Sequence, residues 1–186
     1  MAPDYAIPSE WSARVEIVLV QPEIPQNTGC IARLAAALAL RLHLVEPLGF
    51  SLGDRYLKRA GLDYWPLVDL RVHGSLDQAL ERLSAGSTRS LEERLHLFSA
   101  RGGRSLFATI FAPDDLLIFG CESRGLPREF CAQYPDRRVY IPIQRGVRSL
   151  NLANAASIAA YTALLRAGLS LPENDGRYEP HAEAEH

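Results

Sequence analysis

Three segments of this chain share one pattern, in which a short apolar run ends in a turn that contains glycine and polar groups. The segments cover residues 18–33, 116–127 and 140–157. Apolar runs that alternate with helical patterns are typical of α/β proteins with a parallel sheet. Ligands in open α/β sheets bind just beyond the carboxyl ends of the strands. We therefore expect the three turns to meet at one edge of a sheet and to form a binding site.

The elements between these segments indicate the same architecture. Residues 15–20 predict a strand, residues 28–40 a helix capped by Asn27 or Thr28, and residues 41–46 a second strand. Together they form a β-α-β unit, which favours a parallel sheet. The remaining predicted strands are 95–99, 116–119 and 139–143, and the remaining predicted helices are 54–60, 76–84 (opened by a capping box at Ser75) and 151–167. The predicted fold is a doubly wound α/β domain with a Rossmann-like sheet.

Length and composition predict one domain with two less ordered ends. With 186 residues and 47% hydrophobic content, the chain is long enough for one compact domain and short for two. Residues 1–14 show no periodicity and predict a flexible extension. Residues 171–186 are acidic and polar and predict a disordered tail. The domain therefore spans residues 15–170.

The charge of the chain argues against binding nucleic acid through bulk electrostatics. The formal net charge is −2, and from residue 171 onward five acidic residues stand against Arg177, so residues 1–170 carry about +2. Any contact with RNA must come from local clusters. The candidates are Arg55, Lys58 and Arg59 in one cluster and Arg145 and Arg148 in another, with solvated helix faces as the alternative interpretation.

Cysteine usage and hydropathy predict a cytoplasmic location. The three cysteines are odd in number and have no metal-type spacing, so free thiols in a reducing compartment and no bound metal are expected. The sequence has no run near the ~20 apolar residues of a membrane span and no basic-then-apolar signal pattern at its start. We therefore expect no membrane association.

The turn before the last predicted helix contains two polar residues, followed by an alanine-rich stretch. Ser149 and Asn151 stand where the helix begins, a position at which ligand oxygens are readily held. Taken alone, this pattern fits either a small-molecule pocket or an ordinary N-cap on a closely packed helix. The other two segments favour the pocket.

The three segments in order resemble the signature motifs of the SPOUT (SpoU–TrmD) class of RNA methyltransferases, in the branch that methylates ribose 2′-hydroxyls. Within that class, residues 46–50 (EPLGF), 58–64 (KRAGLDY) and 148–152 (RSLNL) are similar to the tRNA (cytidine/uridine-34-2′-O)-methyltransferases. The resemblance covers residues 15–168 without large gaps. It implies an enzyme that transfers methyl from S-adenosylmethionine to the wobble nucleotide in the anticodon loop of a tRNA, releasing S-adenosylhomocysteine. It also implies a homodimer and a C-terminal trefoil knot.

The resemblance assigns roles to residues as well. The implied donor-binding residues are Phe98, Gly120, Glu122, Gly125, Ile141, Ser149 and Leu150. The implied catalytic residues are Arg33 and Asn151, and the implied RNA-binding residues are Asn27, Arg33, Arg145 and Arg148. A guanidinium is effectively always protonated, so Arg33 is better suited to clamp a phosphate than to act as a general base. Glu122 either lies near the sulfonium charge or pairs with an arginine to hold its loop.

Three other functions remain open from the sequence. The same chemistry could act on ribosomal RNA or another tRNA position. A knotted RNA-binding protein without catalysis is a second alternative, against which the presence of the implied catalytic and donor residues argues. A general nucleotide-binding α/β protein ranks last, because the chain has neither a GxxxxGK[ST] nor a GxGxxG sequence.

Overall fold

The computed structural model describes residues 15–52, 65–85 and 87–173. Within these ranges a parallel sheet forms the centre of the molecule. Its strands are β1 (Glu16–Val20), β2 (Leu42–Val45), β3 (Leu70–His73), β4 (Leu95–Phe98), β5 (Arg104–Ser105), β6 (Leu116–Phe119) and β7 (Arg138–Tyr140). They lie in the order β3-β2-β1-β6-β4-β7-β5, and every neighbouring pair is parallel. The predicted α/β class and parallel sheet are confirmed.

Five α-helices in the described ranges cover the two faces of the sheet. They are α1 (Pro25–Leu38), α2 (Leu76–Ser84), α3 (Leu91–Arg94), α4 (Arg128–Gln133) and α5 (Leu152–Arg166). Alternate side chains of a strand point to opposite faces. Ile17 and Leu19 of β1 accordingly belong to a core cluster with residues of α1 and α5. Val18 and Val20 belong to a second cluster with residues of α2 and α4.

The first helix begins earlier than the sequence pattern predicts. It starts at Pro25 with Ile24 as the N-cap residue, so the prediction that Asn27 or Thr28 caps it is wrong. Proline suits the first helical position because its φ is already helical and it has no N–H to satisfy. Asn27 and Thr28 therefore lie inside the first turn, where both are buried. The helix ends before Ala39, which has a φ of 49°.

Several other elements differ from the predictions. The capping box at Ser75 is only half formed, because Gln78 accepts a hydrogen bond from the N–H of Gly74 instead. The complete capping box lies at Ser90 and Glu93, which the sequence analysis did not single out. Strands β3 and β5 were not predicted, and β7 ends at Tyr140, two residues before Pro142, which has no N–H for a ladder. The predicted helix 54–60 and the cluster of Arg55, Lys58 and Arg59 lie outside the described residues.

Strand β7, the last strand in the described ranges, lies between two strands that precede it in sequence. Strand β7 pairs with β4 on one side and β5 on the other, so the β4–β5 connection must pass over it. That crossing is tight, because a Cβ at Gly103 would lie 2.2 Å from the carbonyl oxygen of Arg138. This path is compatible with the C-terminal trefoil knot, which stays a prediction. Leu171, one residue beyond the predicted domain boundary, still packs against the core.

Buried histidines bind the sheet together without contributing to a pocket at its carboxyl edge. Nε2 of His43 lies 2.6 Å from Glu16, and its Nδ1 lies 2.8 Å from Nε2 of His73. Burial, with the charges of His43 and Arg82, lowers the pKa of His73, so this ring is neutral at pH 7. His96 is buried 2.6 Å from Asp115. The recorded partners of His43, His73 and His96 thus lie within the sheet and its connections. No helix in the described ranges is long and apolar enough to cross a membrane.

Candidate active site

A cavity of about 540 Å³ opens at the carboxyl ends of β4, β6 and β7. Its volume lies in the range typical of small-molecule sites. The walls come from the residues that follow these three strands, together with Ile24 and Asn27 at the start of α1. The three sequence segments therefore meet at one edge of the sheet, as their pattern predicts.

The structure brings most of the predicted site residues to this cavity. All the implied donor-binding residues line it, namely Phe98, Gly120, Glu122, Gly125, Ile141, Ser149 and Leu150. Asn27, Arg148 and Asn151 line it as well. Arg33 and Arg145 do not. Arg33 is exposed on α1, and Arg145 is exposed on the loop after β7.

One wall of the cavity is apolar. The rings of Phe98 and Phe119 stack with their centroids 4.5 Å apart at the ends of β4 and β6. Leu126, Ile141 and Leu152 continue this wall. Such a surface suits a flat ring or an alkyl chain, while the backbone of the neighbouring loops offers N–H and C=O groups for recognition.

The loop after β6, residues 120–125, is folded tightly onto itself and is called the donor loop below. The N–H of Gly125 donates to the carbonyl of Cys121 at 2.9 Å. A Cβ at Gly120 would lie 2.0 Å from the carbonyl carbon of Gly125, so only glycine fits there. Gly125 itself has a φ of 73°, a conformation that glycine adopts readily. The loop is a compact unit whose backbone reaches the cavity.

Glu122 joins the donor loop to the start of α1. Its carboxylate accepts hydrogen bonds from the N–H groups of Glu23 (2.8 Å) and Ile24 (3.2 Å) and from Nδ2 of Asn27 (2.8 Å). A carboxylate at a helix N-terminus is also favoured by the helix dipole. Of the two interpretations of Glu122, the structure therefore favours the one in which it holds its loop. Its partners are amide groups, however, and not an arginine.

The hydrogen bonds continue from Asn27 to the last helix. Oδ1 of Asn27 accepts from Nδ2 of Asn151 at 2.9 Å. Oδ1 of Asn151 in turn accepts from the N–H groups of Ala153 and Asn154, so Asn151 is the N-cap of α5. Glu122, Asn27 and Asn151 therefore form a chain that fixes the three loops relative to one another.

Two arginines fix the loop after β7. Arg148 donates from Nη2 to the carbonyl of Ser123 at 2.9 Å, which ties this loop to the donor loop. Arg101 donates from Nη2 to the carbonyl of Val147 at 3.2 Å. Sequence reasoning missed Arg101, Glu23 and Ser123 as parts of the site. The available signal was the position of Glu23 between Pro22 and Pro25, which fixes the backbone around a charged side chain.

These residues fit S-adenosylmethionine, the donor that the resemblance implies. The apolar wall suits the adenine ring, the close glycine backbone permits its edge to be read, and the carboxylate of Glu122 supplies negative charge near a positively charged ligand. Among the described residues, no group of three or more His, Cys, Asp or Glu is placed to hold a metal ion.

The chain is similar to known proteins over most of its length. The sequence model of the SpoU rRNA Methylase family matches residues 14–161. A tRNA (cytidine(34)-2′-O)-methyltransferase from Polaromonas sp. strain JS666 is 42% identical over 155 residues, which are 83% of this chain and 92% of that protein. A solved structure described as structural insights into the 2-OH methylation of C/U34 on tRNA is 51% identical with a TM-score of 0.76, covering 83% of this chain and 97% of the other. The SpoU methyltransferase AviRb from Streptomyces viridochromogenes, solved with AdoMet, is 25% identical with a TM-score of 0.69, covering 82% of this chain and 57% of the other.

Proposed function

The chain belongs to the SpoU rRNA methylase family, and on this premise we propose that it methylates the ribose 2′-hydroxyl of the wobble nucleotide of a tRNA, cytidine or uridine 34. The donor is S-adenosylmethionine. The observation that carries the proposal is the cavity of about 540 Å³ at the carboxyl edge of the sheet, which all the implied donor-binding residues line. The tRNA target follows from relatives such as the 42% identical enzyme from Polaromonas, which the chain matches over 92% of that enzyme's length.

The chain's own residues hold the donor. Phe98, Leu150 and Ile141 would enclose the adenine, and the backbone around Gly120 and Gly125 would recognise its edge. Glu122 and Ser149 supply polar contacts. When bound, S-adenosylmethionine supplies a methyl group on a positively charged sulfur, and its loss leaves S-adenosylhomocysteine. Much of the rate in such a displacement comes from positioning the two reactants.

The second task of the site is to present the ribose hydroxyl. Arg33 clamps the phosphate beside the target ribose, which aligns the 2′-hydroxyl, and the proton leaves to phosphate or water. Asn151, fixed as the N-cap of α5 and bonded to Asn27, orients the groups at the cavity mouth. Arg148 at the cavity and Arg145 on the same loop are both exposed, and they contact the RNA backbone. An anticodon loop suits this small platform because its bases can splay out.

We propose that the working form is a homodimer that associates through α5. Ile158, Tyr161 and Leu165 are 38%, 44% and 62% exposed. Their spacing puts them on one face of the helix, in line with Asn154 and with Asn151, which lines the cavity. A second copy would bury this apolar stripe. Because Arg33 does not line the cavity of its own subunit, association also offers a way to bring it to the reacting centre of the partner.

Replacing Leu165 with glutamate is expected to convert the dimer to a monomer, because the stripe would have to bury an unpaired charge. Sedimentation at micromolar concentration measures the change, and methyl transfer should fall with it. Arg166→Glu is the matched control, since Arg166 is exposed on the same helix beside the stripe. A wild-type protein that sediments as a monomer would contradict the shared site.

We also propose that the enzyme works in the cytoplasm on transcribed tRNA. The three cysteines, Cys30, Cys121 and Cys131, are all free, as expected in a reducing compartment.

The proposed activity is tested by transfer of a labelled methyl group from S-adenosylmethionine to total tRNA, followed by nuclease mapping. We expect 2′-O-methyl label at the wobble nucleotide. If tRNA stays unlabelled, calorimetry with S-adenosylmethionine separates the alternatives. Donor binding without transfer would indicate another RNA, and absence of binding would favour a non-catalytic RNA-binding protein.

A further inference from the structure

We propose that Glu23 is a positioning residue for methyl transfer, which locks the donor loop onto the segment before α1 and so sets the donor affinity. The inference rests on the proposed function, because it assigns the lock to the donor site. Glu23 does not line the cavity, so its effect is exerted through the loop that does.

The lock consists of two hydrogen bonds across the gap between loops that are distant in sequence. Oε1 of Glu23 accepts from the hydroxyl of Ser123 at 2.7 Å, and Oε2 accepts from the N–H of Ser123 at 2.9 Å. Both oxygens of the carboxylate are therefore used on one residue of the donor loop. Such two-point binding fixes orientation as well as distance.

Glu122 makes the reverse connection. While Glu23 reaches to the donor loop, the carboxylate of Glu122 reaches back to the N–H groups of Glu23 and Ile24. Each loop thus supplies one carboxylate and receives the other through N–H groups. Because the connections run in both directions, sliding or opening of one loop breaks both sets of bonds.

The backbone that carries Glu23 is held from its other side. The N–H of Gly49 donates to the carbonyl of Pro22 at 2.9 Å. A Cβ at Gly49 would lie 2.7 Å from the Cα of Glu23, so the two backbones touch. The backbone that carries Glu23 is therefore supported by the backbone of Gly49.

The charge on Glu23 suits this role. Hydrogen bonds from the hydroxyl and N–H of Ser123, with the nearby charge of Arg124, lower the pKa of the Glu23 carboxyl. The group is ionised at neutral pH and accepts with both oxygens. Charge-assisted bonds of this kind are stronger than neutral ones.

The hydrogen bonds of Glu23 and Glu122 also connect the donor loop with the helix that carries Arg33. The donor loop forms the wall of the cavity, whereas the segment bound by Glu122 leads directly into α1, which carries Arg33. An ordered donor loop therefore favours an ordered start of α1, and the reverse also holds. We infer that donor binding and the placement of α1 are coupled through these two carboxylates.

The test compares Glu23→Ala with Glu23→Gln and with Glu129→Ala, a control at an exposed glutamate on α4 outside the cavity. Loss of charge-assisted bonds predicts about tenfold weaker donor binding by calorimetry in Glu23→Ala, and a raised KM for donor with a smaller change in kcat. Glu23→Gln should keep most of the donor affinity, because its amide can accept from the N–H of Ser123 and donate to the hydroxyl of the same residue. Glu129→Ala should equal wild type.

A double-mutant cycle of Glu23→Ala with Ser123→Ala separates the lock from general destabilisation, since effects through one contact are less than additive. Additive losses, or unchanged donor affinity in Glu23→Ala, would overturn the proposal. Amide exchange of Ser123 without donor gives an independent readout, because its N–H should lose protection in Glu23→Ala. If the wild type fails to bind donor, the proposed function fails, while the Ser123 exchange still decides whether Glu23 holds the loop.

Discussion

Replacing Arg33 with alanine is expected to lower methyl transfer by about 10²–10³-fold, the usual cost of losing one preorganised charged group in an active site, while donor binding stays nearly intact. This difference between transfer and donor binding follows from the position of Arg33. Arg33 is exposed on α1 and does not line the cavity that we propose as the donor site. In the proposed mechanism its guanidinium binds the phosphate of the RNA, where two parallel hydrogen bonds fix the neighbouring ribose.

The measurement pairs transfer rates on tRNA with calorimetry of S-adenosylmethionine binding. Arg33→Lys keeps the charge but not the planar fork, so it should recover only part of the rate. Arg128→Ala, at an exposed arginine on α4, is the control for loss of a surface charge. Equal losses of donor affinity and transfer in Arg33→Ala would refute the separation of roles.

Replacing Gly120 with alanine is expected to remove donor binding, with affinity lower by about 100-fold or more, because overpacking against backbone costs about 3 kcal/mol or more. The added Cβ would lie 2.0 Å from the carbonyl carbon of Gly125 and 2.1 Å from the nitrogen of Leu126. Both are backbone atoms, so no side-chain rotation relieves the clash. The donor loop must open, and the wall of the cavity opens with it.

Gly146→Ala is the matched control for Gly120→Ala. A Cβ at Gly146 would meet nothing within 4 Å, and its backbone is not left-handed, so alanine should leave donor binding unchanged. Circular dichroism checks that both variants keep the fold, and calorimetry measures the donor affinity. Normal donor binding by Gly120→Ala would show that the tight turn is not needed for the site.

The sequence predicted the place of the site because that prediction needs only local information. A parallel sheet puts the carboxyl ends of its strands at one edge, so three strand-then-glycine segments had to meet there. Gly120 could be singled out for the same reason, as a turn directly after a buried strand. The N-cap position of Asn151 was also readable, since a capping side chain acts on its own helix.

The interpretation of Asn27 failed for a physical reason. Asparagine before an apolar pattern is a frequent N-cap, but Pro25 two residues earlier already begins the helix. The buried side chain is then available to bind Glu122 and Asn151, which are 95 and 124 residues away in sequence. No local pattern records contacts at such separations.

Propensity, periodicity and turn chemistry act over a few residues, so local patterns were enough to predict the α/β class, the strands beside the cavity and the glycines that let the donor loop close. The folded chain was needed to show that Glu23 binds Ser123, that Glu122 holds the start of α1 and that Arg33 does not line its own cavity. Those relations depend on which loops the order of the strands brings together. Strand order is a property of the whole sheet, and hydrogen bonds between distant loops form only after it is set.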